Sequence, residues 1–167
     1  DAMAANRLEP EIYSLRSLHE FAAAVERYGE QRYPIHVKLD TGMHRLGFVE
    51  EELPALLDAL ARYGRTVRVA SVFAHLCTSD DPAQDDFTRL QIARFDRMSS
   101  RIAEALPYPV LRHTANSAAI ERFPEAQYDM CRLGLGLYGF GFEHNAALCP
   151  VSTLRTRIVQ IKRLAPT

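Results

Sequence analysis

The sequence has little of what marks the simplest functional classes. Its three cysteines, Cys77, Cys131 and Cys149, give neither a disulfide framework nor a C-x-x-C pair, which argues for reduced thiols in a cytoplasmic protein. No apolar run approaches the roughly 20 residues that a membrane helix needs. The opening stretch, DAMAANRLEP, lacks a basic segment followed by an apolar one, so it does not read as a secretory signal. It starts on Asp1 rather than Met, as a piece cut from a longer chain would. Neither sign of charge dominates: 20 Lys and Arg stand against 21 Asp and Glu. No electrostatic case for nucleic acid or an anionic membrane follows. Low-complexity segments and internal linkers are absent.

What remains is an ordinary globular composition, 47% apolar and 25% charged over 167 residues, enough for about one domain with a real core. Strands are expected at 11–15 (EIYSL), 34–39, 67–74, 109–112, 128–132 and 135–140, and a further one at 152–164. Helices separate most of them. Ser17 and Glu20 have the spacing of a capping box, and Leu18, Phe21, Ala22 and Val25 then form one helical face that Gly29 ends. Glu50, Glu51 and Glu52 open a second helix with a stripe of Leu53, Leu56, Leu57 and Leu60, closed by Gly64. A third runs from about Phe87 to Leu106, with Leu90, Phe95, Met98 and Ile102 on its buried side. The alternation predicts a parallel sheet covered by helices. An eight-stranded barrel typically takes about 250 residues, so the chain is either an open sheet or most of a barrel cut at both ends.

Lys38, Asp40, His75, Asn116 and Arg132 each sit where an apolar run ends. In a parallel α/β protein the strand ends on one edge build the site. Each motif there has a plain and a functional reading. The triplet Asp40-Thr41-Gly42 occurs in aspartic proteases, but those are all-β; a loop cap or a part in a longer motif fits better. GLGLYG (134–139) matches a dinucleotide fingerprint, yet no amphipathic helix follows it. Close approach of its backbone N–H groups to a phosphate remains open. Asn116 and Ser117 start a short helix, where they suit both capping and an anion. His75 and His113 lack a second ligand at i+2 or i+4, which argues against a metal. Cys77 with His75 forms a nucleophilic pair only in principle. Lys38 and Arg132 need a partner if buried; Asp40 or a ligand anion would serve.

Four segments, in order, resemble the alanine racemase family: HVKLDTGMHRLGF (36–48), FAHLCTSDD (73–81) with FTRLQIARFDRM (87–98), RHTANSAAI (112–120) and YDMCRLGLGLYG (128–139). The resemblance implies a (β/α)8 TIM-barrel-like α/β fold, incomplete here, with residues 1–150 in the barrel and 151–167 starting a C-terminal β-domain. It implies pyridoxal 5'-phosphate as cofactor and L- and D-alanine as substrates, interconverted for peptidoglycan synthesis by a cytoplasmic homodimer. Arg132 would face the pyridine nitrogen, buttressed by His113 through a hydrogen bond. His75 would pack near the ring. Asn116, Ser117, Gly134 and Leu135 would hold the phosphate, in a loop ordered by Tyr138. Arg45 would approach the phenolic oxygen and the substrate carboxylate, and Lys38 would be the residue this family often carbamylates. The family's cofactor lysine, in a VKANAYG-like motif, and its opposing tyrosine base have no counterpart here. A racemase fragment that retains much of the pocket but is itself inactive is therefore expected. A non-catalytic pyridoxal-phosphate module, or a related racemase for another amino acid such as serine, are the alternatives.

Overall fold

The computed structural model describes residues 1–142 and 147–163. A short helix, α1 (Ala2–Ala5), precedes β1 (Glu11–Ile12), α2 (Leu15–Arg27), β2 (Tyr33–Lys38), α3 (Leu53–Arg62), β3 (Val67–Phe73), α4 (Asp85–Ala105), β4 (Leu111–His113) and α5 (Ser117–Arg122). The strands are parallel and lie in the order β1-β2-β3-β4. Spatial order that follows chain order is the pattern of a β/α-barrel wall. A doubly wound sheet reverses direction partway. Every strand therefore ends on one edge, and that edge gathers the chemistry.

The core fills the space between this wall and α2, α3 and α4. Ile35, Val37, Val69 and Val72 from the strands meet Leu18, Val25, Leu53, Leu56, Phe95 and Met98 from the helices, all nearly inaccessible. The expected faces of α2 and α3 are the buried ones. On α4, however, Leu90 is exposed. The buried stripe instead runs back from Phe95 through Gln91 and Thr88, four and seven residues earlier on the same face. Leu90 lies about 100° off that line.

The capping box sits one turn earlier than the sequence suggested. Ser14 is the N-cap: its Oγ accepts from Ser17 N (3.1 Å), while Ser17 Oγ accepts from Ser14 N (3.1 Å). Glu20 pairs with Arg16 instead. Taking Ser14 into the cap is what shortens β1 to two residues.

The expected strands after β4 do not form. Residues 129–132 run beside β4 with only scattered backbone bonds, Asp129 N to Arg112 O and Arg132 N to Ala115 O. Asp129 Oδ2 takes the N–H of Arg112 that a ladder would have used. Leu135–Tyr138 is a 3₁₀ turn closed by Gly139 at φ +85°. The glycines at 134, 136 and 139 weaken the extended form and supply that left-handed stop. Residues 151–163 carry no strand, and Leu154 and Val159 are almost wholly exposed. Leu164, the end of that expected strand, lies outside the described residues.

Candidate functional site

The strand ends position the polar groups. Lys38, at the end of β2, is 6% exposed and its Nζ lies 3.1 Å from Glu11 Oε1 on β1. It also stands over the Phe73 ring at 5.6 Å. Its partner is thus Glu11 rather than Asp40. Asp40 is a loop cap: Oδ1 accepts from Gly42 N (2.9 Å) and His44 N (3.0 Å). Nothing in the Asp-Thr-Gly triplet points to protease chemistry in this parallel sheet.

Past β3 the chain places His75, Leu76 and Cys77 along the rim. Gln91, fully buried on α4, holds them: its Oε1 accepts from Cys77 N (3.2 Å) and its Nε2 donates to His75 O (3.5 Å). Cys77 Sγ meets the same amide, so it forms no pair with His75.

Past β4, Asn116 caps α5. Its Oδ1 accepts from Ala119 N (3.0 Å) and Ser79 Oγ (2.8 Å), and its Nδ2 donates to Leu76 O (3.0 Å). Both lone pairs of Oδ1 are used, while Nδ2 donates one of its two protons, so Asn116 positions the site and keeps one N–H to offer. Ser117 Oγ accepts from Gly134 N (2.9 Å) and Gly136 N (3.2 Å). The glycine loop is thereby gathered onto one hydroxyl.

Arg132 reaches back over the strand ends. Its Nη2 donates to Ala74 O and lies 3.3 Å from His75 Nδ1. The Nε is buried without a partner among the described residues, and the guanidinium stands 5.3 Å from the Phe73 ring centre. Burial lowers its pKa, Glu11 opposes that, and Arg45 adds to it. A guanidinium nevertheless stays charged at any working pH. Burial, then Arg132, Arg45 and Lys38, push His75 below the ordinary histidine range. His113 goes further, to about 4, through burial, Arg132 and His36. Both imidazoles are therefore neutral near pH 7.

The result is a cleft of about 360 Å³ that brings together His75, Asn116, Ser117, Arg132, Gly134 and Leu135, six of the residues singled out from the sequence. Four others lie elsewhere. Arg45 is exposed on the 39–48 loop, though its charge is felt by His75 and Arg132. Lys38 is buried against Glu11. His113 is buried beside Phe73, the two rings stacked at 5.0 Å, and its Nε2 meets Ser71 Oγ at 3.1 Å. The expected His113–Arg132 hydrogen bond is absent, because Arg132 spends its Nη2 on carbonyls and His75. The Tyr138 side chain is 56% exposed; backbone bonds and Ser117, not that ring, order the loop. Sequence reading missed Glu11, Ser71 and Asp80, the last of which lines the cleft. Glu11 had a signal, as an acid heading an apolar strand; Ser71 inside a strand had none. No metal-binding cluster of His, Cys, Asp and Glu occurs among the described residues, and no helix there is long and apolar enough to cross a membrane.

Residues 1–141 match the family model "alanine racemase, N-terminal domain". The alanine racemase of Symbiobacterium thermophilum is 40% identical over 134 residues, covering 78% of this chain and 35% of that protein. That of Synechocystis is 36% identical over 171 residues, covering 99% of this chain and 45% of that protein. Among solved structures, alanine racemase from D-cycloserine-producing Streptomyces lavendulae superposes with a TM-score of 0.74 at 30% identity, over 83% of this chain and 36% of that one. The Bacillus anthracis enzyme with bound L-Ala-P gives 0.72 at 27% identity, over 89% of this chain and 38% of that one. The chain spans between about a third and a half of the length of these relatives. The four-stranded wall is accordingly part of an incomplete TIM-barrel-like domain.

Proposed function

This chain belongs to the alanine racemase family, and from that premise we propose that its cleft is one side of a pyridoxal 5'-phosphate pocket. The parent protein would interconvert L- and D-alanine for peptidoglycan synthesis. The observation that carries the reading is the shared cleft of the Arg132 guanidinium and the Ser117 hydroxyl with its two glycine N–H groups.

The residues present fit the group. A Cβ added at Gly134 would meet only Ser117 Oγ, at 3.7 Å, in the space beside the hydroxyl that a phosphate oxygen needs. Arg132 keeps a buried, unpartnered Nε–H, so donor capacity is left over after its protein contacts. Asn116, Ser117, Gly134 and Leu135 would hold the phosphate. Arg132 would sit against the ring nitrogen and, being always charged, would leave that nitrogen unprotonated. His75, neutral and in contact with Arg132, would flank the ring. Bound there, the cofactor supplies the electron sink that stabilises a carbanion at the substrate α-carbon. Arg45, on its exposed loop, would meet the substrate carboxylate. Carbamylation of Lys38 would put an anion where a cation now faces Glu11 at 3.1 Å, so Glu11 would have to move. Residues 1–150 would belong to the barrel and 151–167 would begin a β-domain, in a cytoplasmic homodimer.

Within these 167 residues the lysines are Lys38 and Lys162, and neither lies in the family's cofactor-lysine motif. The 167-residue chain alone is therefore proposed to bind cofactor weakly and reversibly without racemising alanine. Titrating it with pyridoxal 5'-phosphate, with pyridoxal and inorganic phosphate as comparators, tests the pocket. Binding should require the phosphate and weaken at least about tenfold in Arg132→Ala. Equal affinity for pyridoxal, or an unchanged Arg132→Ala, would refute it. α-Deuterium wash-in into alanine by the chain alone would refute the inactivity.

A further inference from the structure

A file of polar side chains crosses the sheet beneath the cleft. Glu9 Oε2 lies 2.8 Å from His36 Nε2, His36 Nδ1 lies 2.7 Å from Ser71 Oγ, and Ser71 Oγ lies 3.1 Å from His113 Nε2. The β2–β3 register puts His36 opposite Ser71 directly after a bulge at Ile35/His36, so the bulge aims the imidazole at the hydroxyl. Ser71 is 1% exposed and His113 5%. Beyond His113 Nε2 the file stops: its Nδ1 is buried with no partner among the described residues.

Where His36 is neutral, the direction of every hydrogen bond in this file follows from its first member. An ionised carboxylate only accepts. The proton of a neutral His36 must then sit on Nε2, leaving a lone pair on Nδ1. Ser71 has one hydroxyl proton, which it donates to that lone pair. Its oxygen is left to accept, and the donor within reach is His113 Nε2–H. His113 is neutral near pH 7 and so carries a single ring proton. With that proton on Nε2, its Nδ1 holds a lone pair. Arg132, whose charge acts on His113, has only donors to offer, and its Nε–H is itself buried and unpartnered. The opposite tautomer would leave a buried Nδ1–H without an acceptor among the described residues.

We propose that Glu9, His36 and Ser71 are positioning residues that lock His113 as its Nε2–H tautomer, so that its Nδ1 lone pair is kept for the Arg132 guanidinium. The consequence for cofactor binding rests on the proposed pocket; the tautomer lock itself does not.

The test is a long-range ¹H–¹⁵N correlation spectrum of the full chain labelled with ¹⁵N-histidine, recorded at about pH 8, above the ordinary histidine range. Wild type should show His36 and His113 each as a single Nε2–H tautomer. Ser71→Ala should leave His36 unchanged and give His113 mixed tautomers. Glu9→Gln should mix both, because an amide can donate as well as accept. Ser71→Thr keeps the hydroxyl and should restore the wild-type pattern, which separates loss of the relay from loss of fold. A wild-type His113 with its proton on Nδ1, or a single Nε2–H tautomer surviving in both Ser71→Ala and Glu9→Gln, would overturn the lock. The same samples titrated with pyridoxal 5'-phosphate should lose affinity by about tenfold where His113 is mixed. Unchanged affinity in those variants would overturn the link to Arg132. Failure of wild type to bind would sink the pocket reading while leaving the tautomer result standing.

Discussion

Two glycine-bearing loops flank the strand ends, and they are held in opposite ways. The first, residues 40–48, closes on itself. Asp40 holds the N–H groups of Gly42 and His44, Leu39 bridges to Phe48, and Phe48 is wholly buried. The second, residues 134–140, closes its own 3₁₀ turn but is tied to the site through the Ser117 hydroxyl, and Leu135, Leu137, Tyr138 and Phe140 are all more than half exposed. A loop that satisfies its own backbone and buries its own anchor needs no ligand to be ordered. One gathered onto a single hydroxyl in a cleft keeps its donors where a ligand can take them. The difference separates scaffold from binding surface within one edge of one sheet.

The comparison can be broken at several points. Phe48→Ala removes the anchor of the first loop and should cost about 3–5 kcal/mol, read from urea unfolding. A loss under about 1 kcal/mol would mean that the loop is not held by burial. Acid strikes the wall beside the cleft instead. His113 titrates at about 4 in the folded chain, against an ordinary 6.5. The unfolded chain thus takes up the proton first. The stability from neutral His113 is complete above about pH 6.5 and is lost as pH falls toward 4, by at most roughly 3 kcal/mol. A series of urea melts between those values should slope in wild type and flatten in His113→Phe.

Gly47→Ala tests the first loop through its backbone. Gly47 has φ +127°, and an added Cβ would lie 2.6 Å from Asp40 N and Leu39 C. Because backbone cannot step aside as a side chain can, the change should cost at least about 2 kcal/mol, visible as a lower melting temperature. Ser117→Ala makes the smallest dent in stability. The N–H of exposed Gly134 turns to water, so the loss should stay within about 1 kcal/mol. Its affinity for pyridoxal 5'-phosphate should nonetheless fall about tenfold. A large stability loss with unchanged affinity would place Ser117 with the scaffold and erase the contrast between the loops.

Much of the wall was legible because its signals are local. The 3.6-residue stripes of α2 and α3 and the breaks at Gly29 and Gly64 need no distant partner to be read. The strand end at Lys38 and the one just before His75 followed from where apolar runs stop, whereas the run before Arg132 forms no strand. The misreadings occurred where a second segment decides. Leu90 looks apolar enough to be core, yet its neighbours Gln91 and Thr88 take the buried face because they must reach the strand-end loops. The runs at 128–132 and 135–140 are apolar enough for strands, but Asp129 and the glycines spend their backbone bonds otherwise.

The order of residues alone determined the alternation of strand and helix and the family resemblance, since both are written in periodicity and in contiguous motifs. Which partner each buried charge or imidazole has was decided only in three dimensions. Lys38 finds Glu11, 27 positions earlier; Arg132 finds His75, 57 positions earlier; His113 finds Ser71, 42 positions earlier. Parallel strands joined through helices bring such distant positions side by side, and nothing in the spacing along the chain records which of them will touch.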